Sequence, residues 1–157
     1  KNYKFLVFLY FLSSFLFFIN LQFSEEIILN FNLFILIIIS FDTFCYIIGK
    51  NFGHKKLIQI SPNKTYEGLL GGIIISLLLS LLFSYFFRIT INFELIIFVF
   101  LIIISAFIGD LIESFFKRRN NLKNSSEFIP GHGGVFDRFD SFIFSIVIYS
   151  IFTDILL

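Results

Sequence analysis

Leu95-Ile-Ile-Phe-Val-Phe-Leu-Ile-Ile-Ile-Ser-Ala-Phe-Ile-Gly-Asp110-Leu-Ile-Glu-Ser-Phe-Phe116 is a hydrocarbon stretch that turns polar only near its end. A spanning helix needs about 20 mainly apolar residues, and this segment has that length. Working outward, four more segments read the same way: Phe5–Phe23, Phe31–Ile48, Leu69–Phe87 and the shorter Phe142–Leu157. Hydrophobic residues make up 57% of the 157, charged residues 15%, and 27 are phenylalanine. A soluble domain of this size cannot hide so much apolar side chain. The expected fold is therefore an all-α, polytopic transmembrane helical bundle of about five spans. No small-residue cleavage site follows the first segment, which argues against a signal peptide. Cys45 stands alone, so no intrachain disulfide forms. Methionine is absent even from position 1, which suggests a fragment or a processed chain.

The connections alternate in charge. Lys1 and Lys4 precede the first span, and Glu25 and Glu26 follow it. The second loop holds Lys50, Lys55, Lys56 and Lys64, the third only Arg88 against Glu94, the fourth Lys117, Arg118, Arg119, Lys123 and Arg138. By the positive-inside rule the N-terminus and the second and fourth loops are cytoplasmic. The two loops richest in unusual residues therefore share one face.

Asp42 and Asp110 each lie about two turns inside a span. An ionised carboxylate at that depth costs at least about 2.5–3.5 kcal/mol on insertion scales, so it normally faces a polar cavity or an ion. Glu113, Ser114 and Lys117 fall on the helical stripe of Asp110, and the plainest structural reading pairs Asp110 with Lys117. Asp137 and Asp140 are another i, i+3 pair at the start of the fifth span. Alone, they and Ser141 would only complement a helix N-terminus.

The fourth loop argues for more. Gly131, Gly133 and Gly134 flank His132, and glycines let backbone N–H groups approach phosphate oxygens closely. Lys117, Arg118 and Lys123 are cations suited to a polyphosphate, Arg118 in bidentate fashion. Asp110, Asp137 and Asp140 are hard oxygen ligands of the kind Mg²⁺ takes together with waters and phosphates. His132 reads best as a hydrogen-bond donor, and no Cys/His spacing suggests zinc. Phosphoryl or nucleotidyl transfer fits this set, since it depends on positioning and charge neutralisation. In the second loop, Ser61-Pro-Asn-Lys-Thr-Tyr-Glu-Gly68 runs into the third span. Lys64 and Thr65 can reach a phosphate, and Glu67 can orient a lysine or a metal-bound water. Equally, Ser61 or Thr65 can cap a helix with Glu67 in its first turn, and Gly71 and Gly72 can serve helix packing.

Ser114-x-x-Lys117-Arg118-x4-Lys123, then Pro130-Gly-His-Gly-Gly134-x-x-Asp137-Arg138-x-Asp140-Ser141, closely resembles the signature of the phosphatidate cytidylyltransferases (CDP-diacylglycerol synthases). Asp42-Thr-Phe-Cys-Tyr, Gly49, Gly53, Ser61-Pro-x-Lys64-Thr65-x-Glu67-Gly68, Gly71-Gly72 and Gly109-Asp110-Leu111 extend the resemblance over 42–141. It implies a membrane enzyme, usually homodimeric, that condenses CTP with phosphatidic acid to CDP-diacylglycerol and pyrophosphate. No nucleic-acid partner is expected. It implies Mg²⁺ on Asp110 and Asp137, with Asp140 close by and a monovalent cation such as K⁺ near. Lys64, Lys117, Arg118 and Lys123 would hold phosphates. Ser114, His132, Asp140, Arg138, Asp42, Ser61, Thr65, Glu67 and the glycines 131, 133 and 134 would complete the catalytic and substrate-binding set. Residues 1–157 are expected to be one transmembrane domain, the C-terminal catalytic portion of a longer architecture, in an inner or plasma membrane with its site facing the cytoplasm. The family usually has Asp directly after the lysine, where this chain has Asn124, which keeps the shape and an acceptor oxygen but loses the charge.

Other classes compete. A polyprenol or phytol kinase would also use CTP but would release CDP and a phospholipid. A non-catalytic paralogue, or a cation transporter, would use the intramembrane acids without chemistry. Transport fits poorly, because Leu69–Phe87 contains no charged residue.

Overall fold

Hydrocarbon leaves a backbone only its own N–H and C=O groups to bond with, so the apolar stretches become helices. The computed structural model describes residues 9, 12–16, 18–19, 25–58, 61–119 and 136–156. Its long helices are α1 (Glu25–Phe52), α2 (Tyr66–Phe86), α3 (Phe93–Arg119) and α4 (Phe136–Leu156). Between α1 and α2 lies an antiparallel hairpin of β1 (Lys56–Ile58) and β2 (Ser61–Thr65). Among the described residues, α1 from Ile27, α2 and α3 are long and apolar enough to cross a membrane, and Ser141–Phe152 of α4 is a shorter apolar helix. The expected first span, Phe5–Phe23, falls mostly outside the described residues and is helical at 12–16 and 18–19. The polytopic helical bundle read from the sequence is borne out, with helices running beyond the apolar cores into their polar flanks.

The ends of α2 and the start of α3 follow from local chemistry. Thr65, extended at φ −121° and ψ 155°, caps α2 by accepting the Gly68 N–H at 3.1 Å. At the other end the Ile89 N–H donates to Ser84 O at 2.9 Å and the Arg88 N–H to Tyr85 O at 3.4 Å, a Schellman closure. Arg88 sits at its left-handed position, φ 56°, where glycine is usual. Asn92 opens α3 by accepting the Leu95 N–H at 2.9 Å.

α1 packs chiefly on α2, and α3 on α4. The α1–α2 contact is close because it is built on glycine. A Cβ at Gly68 would stand 2.6 Å from the Cys45 carbonyl oxygen and 2.9 Å from Cα of Gly49. One at Gly72 would stand 2.3 Å from Cys45 Sγ. The buried stripe of α2 continues as Ser76, Ser80 and Ser84, while Leu70, Ile74, Leu78 and Leu82 on its other side are each more than half exposed. Small residues inside and large apolar ones outside is the arrangement of a helix packed in lipid, not in water. The hydroxyls bond back to their own helix, Ser76 to Ile73 O at 3.1 Å, Ser80 to Leu77 O at 2.8 Å and Ser84 to Ser80 O at 2.9 Å.

The core gathers α1 (Leu33, Phe34, Ile37, Phe41), α3 (Phe98, Val99, Ile102, Ile103) and α4 (Ile146, Tyr149). Tyr149 is its hub, with ring centroids 4.8 Å from Phe34, 5.8 Å from Phe31 and 6.0 Å from Phe98. Its hydroxyl donates to Ile27 O at 3.3 Å. Ser105 and Ser145 link α3 to α4, Oγ to Oγ at 3.0 Å, an interhelical bond of the kind worth about 0.6 kcal/mol in a membrane. The described residues of this bundle leave one end of α1, α2 and α3 gathered around the hairpin.

Candidate active site

Lys64 is the side chain that joins the two motif-bearing regions. It sits one residue before the α2 cap, on β2, and its ammonium reaches across to the Asp110 carboxylate of α3. The same nitrogen lies 4.7 Å from the centroid of Phe107, one turn back along α3, so the cation is held by a carboxylate and an aromatic face together. The pair is neither sealed nor fully wet, with side chains 21% and 29% exposed. Ser114, one turn on, donates its hydroxyl towards Asp110 Oδ1 at 3.5 Å. Asp42 lies on α1 three residues before Cys45, which packs against Gly68 and Gly72 of α2.

Asp110 is thus a paired acid, but its partner comes from the second loop. Lys117 pairs with Glu113, one turn away, and Glu113 is only 2% exposed. The plain structural alternative, Asp110 paired with Lys117, is therefore not the one the structure adopts. Seven residues of helix rise about 10.5 Å, whereas four place two side chains side by side. Arg118 and Arg119 are exposed at the end of α3, with the Arg119 guanidinium 5.9 Å from the Phe115 ring.

Thr65 and Glu67 hold the loop in place. Thr65 is the α2 cap, so its oxygen accepts a backbone N–H while its own hydrogen remains free to donate. Glu67, in the first turn of α2, accepts the backbone N–H of His54 at 3.1 Å and of Lys55 at 3.3 Å. Ser61 and the expected acids Asp137 and Asp140, with Arg138, have described backbone in β2 and at the start of α4, but their side chains lie outside the described residues. Lys123, Gly131, His132, Gly133 and Gly134 lie outside them altogether. Among the described residues, no three His, Cys, Asp or Glu side chains gather as a metal cage. The structure adds Phe107 and the backbone amides of His54 and Lys55, none of which the motifs point to. Phe107 could have been found as the residue one turn before Asp110 on the same stripe.

Two regions far apart in sequence therefore meet at one end of the bundle through charged side chains, with the hairpin between them. Residues 2–156 match the family model described as the cytidylyltransferase family. The chain belongs to the cytidylyltransferase family. Curated relatives of the chain include the phosphatidate cytidylyltransferase of Staphylococcus haemolyticus, 46% identical over 113 residues, covering 70% of this chain and 43% of the relative. That of Staphylococcus aureus (strain COL) aligns with the same identity and coverage. That of Bacillus subtilis is 43% identical over 115 residues, covering 69% of this chain and 41% of the relative. The alignment spans less than half the length of these relatives, and the family resemblance read from the motifs is borne out. Of the three acids expected from the sequence to hold a metal, Asp110 alone has a described side chain, and it lies beside the Lys64 ammonium. A carboxylate such as that of Asp110 is an oxygen donor of the kind Mg²⁺ takes beside waters and phosphates, and the side chains of Asp137 and Asp140 lie outside the described residues.

Proposed function

We propose that this chain transfers the cytidylyl group of CTP to phosphatidic acid, giving CDP-diacylglycerol and pyrophosphate. The observation that carries the reading is the Lys64–Asp110 pair, which brings the second-loop and α3 motifs into one site at the end of the bundle. The names of the relatives support the choice of substrates.

A phosphate oxygen of the lipid attacks the α-phosphorus of CTP and forms the new P–O bond. The bond from that phosphorus to the bridging oxygen of the β-phosphate breaks, and pyrophosphate leaves with the electron pair. With the lipid phosphate ionised, no proton has to move. The protein's task is then charge placement and alignment. Lys64 has three N–H donors and spends one direction on Asp110, which leaves the others for phosphate oxygens. Lys117, Arg118 and Lys123 would hold further phosphate charge, Thr65 and Ser61 would donate hydroxyl hydrogens, and the amides around His132 would line the anion. Asp110, with Asp137 and Asp140, would hold Mg²⁺, which supplies neutralisation of the departing pyrophosphate when bound. The carboxylate of Asp42 and the hydroxyl of Ser114 would order this cluster from either side.

The site lies at the end of apolar helices because one substrate arrives from water and the other from the bilayer. In this reading the protein is integral to the plasma membrane, its site faces the cytoplasm, and it works as a homodimer. The deciding experiment incubates purified protein in detergent with radiolabelled CTP, phosphatidic acid and Mg²⁺, beside Asp137→Asn. A CDP-lipid product that vanishes in the variant supports the reading. A folded protein that forms none and does not bind CTP would sink it, and CDP with a phosphorylated lipid would indicate a kinase.

A further inference from the structure

The Glu67 carboxylate is engaged with main chain rather than with a charged side chain. Oε2 accepts the N–H of His54 at 3.1 Å and that of Lys55 at 3.3 Å, and Oε1 also accepts from Lys55 at 3.3 Å. The carbonyl of Lys55 in turn accepts the Tyr66 N–H at 3.0 Å. Both backbone groups of Lys55 are therefore tied to the first turn of α2. The hairpin lies between these ties, entered at Lys55–Lys56 and left at Thr65–Tyr66, with Lys64 beside the exit.

That closure matters because the hairpin has little to hold it otherwise. Its strands are three and five residues long, and its register shifts between Lys56 and Ile58. A lone two-stranded hairpin is marginal even with a regular ladder. We propose that Glu67 is a positioning residue: by bracing the backbone where α1 passes into β1, it holds the hairpin against α3 and so keeps Lys64 on Asp110. The kinetic part of this inference rests on the function proposed above; the structural part does not.

The chemistry separates bracing from direct action on a ligand. One oxygen, Oε2, serves both amides, so the carbonyl of a glutamine can replace it, and alanine cannot. Amide hydrogen exchange and CDP-diacylglycerol formation would be measured on the full chain, Glu67→Gln and Glu67→Ala, all in detergent. The expected result is faster exchange across residues 54–65 in Glu67→Ala, with α3 and the melting temperature little changed. Product formation should fall on the order of 100-fold in Glu67→Ala, the scale of a small misplacement, and stay within about 3-fold in Glu67→Gln. Unchanged exchange at 54–65 in Glu67→Ala would overturn the proposal. So would a Glu67→Gln variant as inactive as Glu67→Ala, because the charge itself would then be acting. If the unaltered chain makes no product, the exchange result alone decides the bracing, and only the assigned reaction is lost.

Discussion

Lys64 and Asp110 carry opposite charges from two distant stretches, and both remain partly exposed. A pair still open to water contributes on the order of 1 kcal/mol to stability, so its main value is chemical. Lys64→Ala and Asp110→Asn are each expected to cut CDP-diacylglycerol formation on the order of 100-fold. Their melting temperatures in detergent should move by no more than about 4 °C. Lys117 behaves differently, because its partner Glu113 is buried. Removing Lys117 takes a cation away from a buried carboxylate and should cost about 3 kcal/mol. The double variant Lys117→Ala/Glu113→Gln should recover most of that melting temperature while remaining low in activity, which separates the stability role from phosphate binding. The stripe Asp110, Glu113, Ser114, Lys117 was legible from helical spacing. Which acid takes Lys117 was not, because Lys64 arrives from another element and occupies Asp110.

At the scale of elements, the spans were readable because each is a long apolar run, and the start of α2 because Thr65 can cap it. The hairpin was not readable. Its strands show no alternation of apolar and polar residues, and Pro62 within β2 argues against a strand. The packing face of α2 was only hinted at by Gly71 and Gly72. A helix apolar all round has no stripe for hydrophobicity to reveal, and the four-residue rhythm of Gly68, Gly72, Ser76, Ser80 and Ser84 becomes meaningful only with α1 beside it. The two kinds of glycine make a test. A Cβ at Gly68 meets backbone atoms of α1, whereas one at Gly71 meets the Ile48 side chain, nearest at its Cδ1. Gly68→Ala is expected to destabilise by about 2 kcal/mol. Gly71→Ala should cost less, roughly 1 kcal/mol, because Ile48 must give at Cγ2, 2.9 Å away, as well as at Cδ1, while the gain in helix propensity offsets part of that. Thermal unfolding of both variants in one detergent checks the order.

Over the whole molecule, Tyr149 holds α1, α3 and α4 together with its ring and reaches Ile27 with its hydroxyl. Tyr149→Phe loses one hydrogen bond and should cost about 1 kcal/mol. Tyr149→Ala opens the centre of the core and should cost roughly 3–5 kcal/mol, visible as a lower midpoint for loss of helical circular dichroism. Composition and run length alone determined that this chain is a bundle of membrane helices. Motif spacing alone determined the family, because short ordered strings of Gly, Asp, Lys and Arg survive without any coordinates. Both are properties of neighbours in sequence. The tertiary structure decided which charges meet: Lys64 with Asp110, Lys117 with Glu113, and Glu67 with the backbone of His54 and Lys55. Such choices depend on distances between elements, which helix packing on glycine and serine sets and which no local spacing encodes.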